Sequence, residues 1–153
     1  MKKIFLIFIL TVLQSCNEKS QDKIREMTNQ YSFNADISNS NKILIRHKKN
    51  NQTESSRNDT CFDNINTLKA EKSKQINAFK TLFENSEFID YYCCPKTNYC
   101  IDFYKGSNKI NTYFADTIEY KNKIRIFEKS YQFSYLVEKE KWKSFLNKIK
   151  NEK

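Results

Sequence analysis

Between positions 61 and 85 apolar residues recur at three- and four-residue steps, at Phe62, Ile65, Leu68, Ile76, Phe79, Leu82 and Phe83. This spacing predicts a long amphipathic helix, because 3.6 residues per turn gather such positions onto one stripe. Asp59 or Thr60 can cap its start through a side-chain oxygen. Lys72 falls on the stripe where an apolar side chain belongs, so the middle of this helix is expected to be shallowly buried or to snorkel.

After position 85 the period drops to two. Residues 87–93 are rich in aromatic and β-branched side chains, residues 98–105 alternate Cys100, Asp102 and Tyr104 against Ile101 and Phe103, and residues 109–115 continue after Gly106-Ser107-Asn108. These read as strands. Gly106, the single glycine of the chain, stands at the turn, where a positive φ costs least without a Cβ. Residues 123–128 and 131–137 predict a further hairpin, with Tyr131, Phe133 and Tyr135 along one face. The helical period returns over 138–149, where Trp142, Phe145, Leu146 and Ile149 stand at i, i+3, i+4 and i+7.

Nearer the N-terminus, residues 41–46 hold Ile43, Leu44 and Ile45 and predict a first strand, while residues 46–59 are almost wholly polar and predict a solvated loop. Residues 17–30 lack apolar periodicity and read as a tether. No internal repeat is present. Short connections force antiparallel neighbours, since a parallel pair needs a crossover. The expected fold is therefore α+β in two layers: an antiparallel meander of four to five strands, one long helix across a face, and a C-terminal helix. Residues 31–153 form its single domain.

Composition narrows the class. The chain has 153 residues, 29% of them charged, with one glycine and one proline, which excludes collagen-like and low-complexity chains. A mean hydropathy of -0.79 would suit a disordered chain, but 12 Phe, 9 Tyr and one Trp supply the apolar bulk of a folded core.

Met1-Lys2-Lys3 is basic and is followed by the apolar run 4–13, too short to cross a hydrocarbon layer of ~30 Å but the length of a signal-peptide apolar region. Next comes Leu13-Gln14-Ser15-Cys16, which resembles the lipobox of bacterial lipoproteins: a branched aliphatic residue at minus three, a small one at minus one, cysteine at plus one. Gln14 at minus two departs from the usual small residue. The resemblance covers residues 1–16 and implies that the signal peptide, residues 1–15, is cleaved. It implies too that Cys16 carries a diacylglyceryl thioether, that its new amine is acylated, with palmitate among the chains, and that residues 16–30 tether the domain. Several acyl chains at ~0.8 kcal/mol per buried CH₂ hold where one chain would not. By the sorting rule of that family, the resemblance further implies from Asn17 at plus two, in place of Asp, the outer over the inner membrane within the cell envelope. The formal net charge is +9, and losing Lys2 and Lys3 leaves +7.

With Cys16 lipidated, Cys61, Cys93, Cys94 and Cys100 remain, an even set that in an exported protein reads as two disulfides. A helix starting at Cys61 would run ~33 Å at 1.5 Å per residue, and strand 87–93 would return about 23 Å. Cys93 and Cys94 would then lie near the helix start. Ile89, Tyr91 and Cys93 look more core-facing than Phe88, Asp90 and Tyr92, which pairs Cys61 with Cys93 and Cys94 with Cys100. The alternative is thiol chemistry, with the four cysteines and His47 holding a metal or Cys93 and Cys94 cycling as a redox pair. Cys-Cys-Pro-Lys-Thr-Asn-Tyr-Cys contains no Cys-x-x-Cys, which favours structural disulfides.

His47, the single histidine, sits among Arg46, Lys48 and Lys49 with no adjacent carboxylate to orient it, and reads as a surface residue. The sequence holds no nucleophile elbow, paired-histidine metal motif or glycine-rich phosphate loop. No catalytic residue, metal or cofactor is expected. Lys139, Lys141, Lys143, Lys148 and Lys150 concentrate positive charge on the last helix and Arg46, Lys48 and Lys49 add a second cluster, which suits an anionic partner or merely solvates the surface. Tyr91, Tyr92, Tyr99, Tyr104, Tyr113, Tyr120, Tyr131 and Tyr135 exceed a small core's needs and could form an exposed face for protein or glycan contact. The export signal argues against nucleic acid. The expected protein is thus a membrane-anchored envelope lipoprotein acting by binding, as inhibitor, immunity-type factor or accessory subunit. A thiol-dependent redox or metal-handling protein is the alternative.

Overall fold

The computed structural model describes residues 18–48, 54–55, 65–90, 96–129 and 133–152. The chain divides into two compact units, Met1–Phe33 and Asn34–Lys153. In chain order the elements are α1 (Glu18–Asn39), β1 (Lys42–Lys48), β2 (Glu54–Ser55), β3 (Ile65–Ala70), α2 (Ser73–Thr81), β4 (Glu87–Asp90) and β5 (Lys96–Thr97). They continue with β6 (Tyr99–Lys105), β7 (Asn108–Asp116), β8 (Lys123–Glu128), β9 (Phe133–Glu138) and α3 (Lys139–Asn151).

Among the described residues one sheet has seven strands in the order β3-β1-β6-β7-β8-β9-β4, every neighbouring pair antiparallel. β2 and β5 form a separate small ladder. The α+β class, the antiparallel sheet, the β6 to β9 meander and the C-terminal helix agree with expectation. Strand number does not: β1 joins β6, β3 joins β1, and β4 returns to β9, so the sheet exceeds four or five strands.

The largest departure is the predicted helix over 61–85. Residues 61–64 lie outside the described residues, Ile65–Ala70 is a strand, and the helix is confined to Ser73–Thr81. The three-residue step from Ile65 to Leu68 is compatible with a helical stripe, but pairing with β1 overrides it. The register Ile43↔Ala70 and Ile45↔Leu68 puts Leu68 and Ala70 on the face carrying Ile43 and Ile45, with Thr67 and Lys69 on the other. Lys72, the misfit of the helical stripe, is extended (φ -79°, ψ 139°) and caps α2. Its backbone N–H and that of Glu71 both donate to Gln75 Oε1 at 3.1 Å, satisfying donors at the helix start.

Within the stretch 17–30, where no element is predicted, α1 begins at Glu18. Its apolar residues Ile24 and Met27 are 61% and 63% exposed, so these two positions are not held to a buried stripe.

One face of the sheet carries the aromatic layer. Phe79 of α2 meets Phe103 of β6 and Phe145 of α3 edge-on at 5.6 and 5.5 Å, Phe83 meets Tyr135 at 5.7 Å, and Tyr99 meets Trp142 at 5.5 Å. Each such pair contributes about 0.5–1.5 kcal/mol beyond its buried area. Phe88 contacts Tyr135 at 5.9 Å and so shares this face, with Ile89 on the opposite one, reversing the expected facing of that strand. Gly106 adopts φ +63° at the β6–β7 turn, as anticipated, and donates its N–H to Asn41 Oδ1 at 2.9 Å.

Phe79→Ala is expected to lower stability by about 3–5 kcal/mol, the range for deleting a buried aromatic ring. Ile118→Ala, at a half-exposed site, should stay within about 0.5 kcal/mol. Urea denaturation of the two variants checks both values.

Candidate functional site

On the sheet face away from the aromatic layer, β1, β6 and β7 converge on Asp102, which is only 1% exposed. The register sets Leu44 and Thr112 directly beside it and Arg46 on the diagonal. Arg46 Nη2 donates to Asp102 Oδ2, Thr112 Oγ1 donates to Oδ1 at 2.7 Å, and Lys109 Nζ lies 3.6 Å from Oδ1. Further along the face Arg125 is almost fully buried; it donates to both carboxylate oxygens of Glu119 at 2.7 and 2.8 Å, to Ser134 Oγ at 2.8 Å and to Tyr120 Oη at 2.9 Å. Asp116 accepts backbone N–H groups of Ile118, Glu119 and Lys96 at 2.8, 3.1 and 3.0 Å, which shapes the β7–β8 loop. These bonds join strands and loop to one another and leave the acids satisfied, as buried charge requires.

On the helix side, Tyr113 donates its hydroxyl to Asp36 Oδ2 at 2.8 Å, and Asn111 Nδ2 donates to the same oxygen at 2.9 Å. Burial, then the hydrogen bond and charge of Asp36, push the Tyr113 phenol far above its ordinary range. Burial also raises Tyr99.

A recessed polar surface lies where β3, the start of α2 and the end of α3 meet. Gln75 Nε2 donates to Glu152 Oε2 at 3.1 Å, Lys74 Nζ is 3.3 Å from Oε1, and Lys72 Nζ donates to the Glu152 carbonyl at 2.9 Å. Burial would raise the Glu152 carboxyl, but the Lys74 and Gln75 hydrogen bonds, with Lys74 and Lys148 charge, outweigh it and hold it below its ordinary value. A cleft of about 450 Å³ borders this clasp, lined by Thr67, Lys69, Glu71, Lys72, Gln75, Ile149 and Glu152. A second, of about 370 Å³, runs on the other side of Glu71 between the end of α1 and α2, with Ser40, Asn41, Ser73, Asn77 and Lys80 among its walls. These clefts, with side chains able to donate and accept, are surfaces suited to contact.

Of the residues singled out in the sequence, Cys16, Cys61, Cys93 and Cys94 lie outside the described residues, as do the apolar run 4–13 and Tyr91, Tyr92 and Tyr131. Cys100 is fully buried on β6 and disulfide-bonded. The length argument that set Cys93 beside Cys61 does not hold, because no helix spans 65–72; the side-facing argument from Ile89 falls with the reversal described above. His47 is half-buried with its ring 5.3 Å from Tyr99, not a free surface residue.

The basic last helix is partly self-neutralised: Lys141 pairs with Glu138 at 3.0 Å, Lys143 with Glu140 at 2.7 Å, and Lys139 Nζ donates to the Tyr120 carbonyl. Tyr113 and Tyr135 are buried and Tyr99 half-buried in the aromatic layer, Tyr104 lies under Lys42, and Tyr120 lies against Arg125. These five therefore do not make an exposed tyrosine face. Asp102 escaped notice as a site, although an acid between Ile101 and Phe103 in a strand was a visible signal; the Gln75–Glu152 clasp has none.

Among the described residues no helix is long and apolar enough to cross a membrane, and no group of three or more metal-ligating side chains occurs. No protein-family model, curated protein or solved structure matches the chain.

Two outcomes follow. Asp102→Asn should cost about 1.5–3 kcal/mol, the scale of a hydrogen bond to a charged group, measured by urea denaturation. Because the folded Glu152 carboxyl is held low, its contribution is present above the ordinary carboxylate value of about 4.3 and lost as pH falls through the lowered folded value. The stability gap between the native protein and Glu152→Gln should accordingly be open at neutral pH and close on acidification; a gap independent of pH would exclude the clasp.

Proposed function

We propose that this chain is a bacterial envelope lipoprotein, held on a membrane by acyl chains at Cys16 and more suited to the outer than the inner membrane, whose domain acts by binding rather than catalysis. The observation that carries the reading is Leu13-Gln14-Ser15-Cys16 following a basic start and a short apolar run. The role proposed is that of an inhibitor, immunity-type factor or accessory subunit, with an envelope protein or an anionic glycan as partner and no cofactor. The recessed surface between β3, α2 and α3 supports a contact role, since its walls hold charged and amide side chains around a space large enough for several groups.

The domain cysteines are proposed to be structural, as two disulfides, with Cys61 to Cys93 and Cys94 to Cys100 as the pairing to test. The disulfide-bonded state of Cys100 favours this over the redox or metal-handling alternative.

Mass spectrometry of membrane-extracted protein, alkylated before and after reduction, tests both parts. Acyl mass on a chain beginning at Cys16, with four thiols protected until reduction, is the expected result, and peptide mapping then reads the pairing. A chain retaining residues 1–15 without acyl mass overturns the anchor. Thiols that react without reduction, or that release a metal, overturn the scaffold in favour of the redox or metal-handling reading.

A further inference from the structure

β3 is the outermost strand of the sheet on its side, and among the described residues it pairs with β1 alone. Its six consecutive partners from Ile65 to Ala70 show no register break, so no bulge twists the edge away. Asn66, Thr67 and Lys69 are exposed, and among the described residues no other segment pairs with it there. A free edge presents unpaired N–H and C=O groups at alternate residues, a template for another extended chain.

The 450 Å³ cleft follows this edge. One wall is Thr67, Lys69 and Glu71, three alternate positions spanning about 13 Å at 3.3 Å per residue, and the other is Gln75, Ile149 and Glu152. A cleft whose wall repeats every second residue has the period of an extended peptide. The charged residues of its lining are two lysines and two glutamates, Lys69, Lys72, Glu71 and Glu152, with Lys69 3.5 Å from Glu71. This wall therefore offers no cationic excess to a polyanionic glycan or an acidic lipid surface, and suits the neutral main chain of a peptide. The other edge, β4, has four described residues against six on β3.

We propose that β3 is a docking strand, and that the occupant is an extended segment of a partner protein that adds to the sheet beside it. Main-chain hydrogen bonds supply affinity and the cleft between β3 and the helices receives alternate side chains. The inference rests on the binding role proposed above, is independent of the lipid anchor, and chooses protein over glycan as partner.

The test uses detergent-solubilised full-length protein on an array of random decapeptides, followed by N-methylated versions of each binder. Expected are binders weakened about tenfold, the scale of one lost hydrogen bond, by methylating one alternate set of amides and unaffected by methylating the other. Amide exchange over 65–70 should slow when they bind. Binders indifferent to methylation, or binders that protect another surface such as α3, overturn the docking strand while leaving a binding role intact. Slowed exchange over 65–70 on raising protein concentration without peptide makes a second copy the occupant and overturns the partner-peptide assignment. No peptide binding at all overturns the inference, whereas the anchored-lipoprotein reading stands or falls on the mass measurement alone.

Discussion

The contact of Phe79 with Phe103 and Phe145 ties the sheet to α2 and α3. All three rings are buried, and each comes from a different element: α2, β6 and α3. α2 has nine residues, too few to be helical in water by propensity alone, because nucleation is costly and short helices depend on tertiary packing. Its helicity is thus a consequence of where Phe79 goes. The Gln75–Glu152 clasp and the cleft beside it inherit that dependence, since Gln75 sits one turn before Phe79 on the same short helix.

The opposite face is organised by charge. Asp102 lies between Ile101 and Phe103, and strand alternation sends its side chain away from the aromatic layer toward Arg46, Thr112 and Lys109. Shifting β6 by one residue against its neighbours would drive a carboxylate into the aromatic layer and pull Phe103 out of it. The buried acid thereby adds register specificity to the stabilisation from the rings. Arg125, held by Glu119, Tyr120 and Ser134, plays the same part where β8 joins β9, and Asp116 fixes the loop between β7 and β8.

How far the sequence discloses this follows from how local each signal is. The β6 to β9 meander and α3 were legible because alternation in 98–105 and the Trp142, Phe145, Ile149 stripe are imposed by one buried face each, and Gly106 marks its turn. The stretch 61–85 was misread because Ile65 and Leu68 are spaced for a helix while their partners are on β1, some twenty residues earlier, and only that non-local pairing makes them a strand. Lys72 carried the hint, as the polar residue at which the period changes. α1 was missed for the opposite reason: Ile24 and Met27 face solvent and, among its described residues, only Phe33 and Ile37 near its end are buried, too few positions to set a readable period. At the candidate site, Thr67, Gln75 and Glu152 come from three elements and meet only after β3 and α2 have separated and α3 has folded back, so no spacing in the chain announces them.

The central claim is that the aromatic layer makes α2 and the sheet one cooperative unit. Native-state amide hydrogen exchange against denaturant concentration tests it most directly. The account predicts that the slowest amides of α2 exchange with the same free energy and denaturant dependence as those of β6 and β7. Exchange of α2 by a separate, low-energy opening while β6 and β7 stay protected would contradict it.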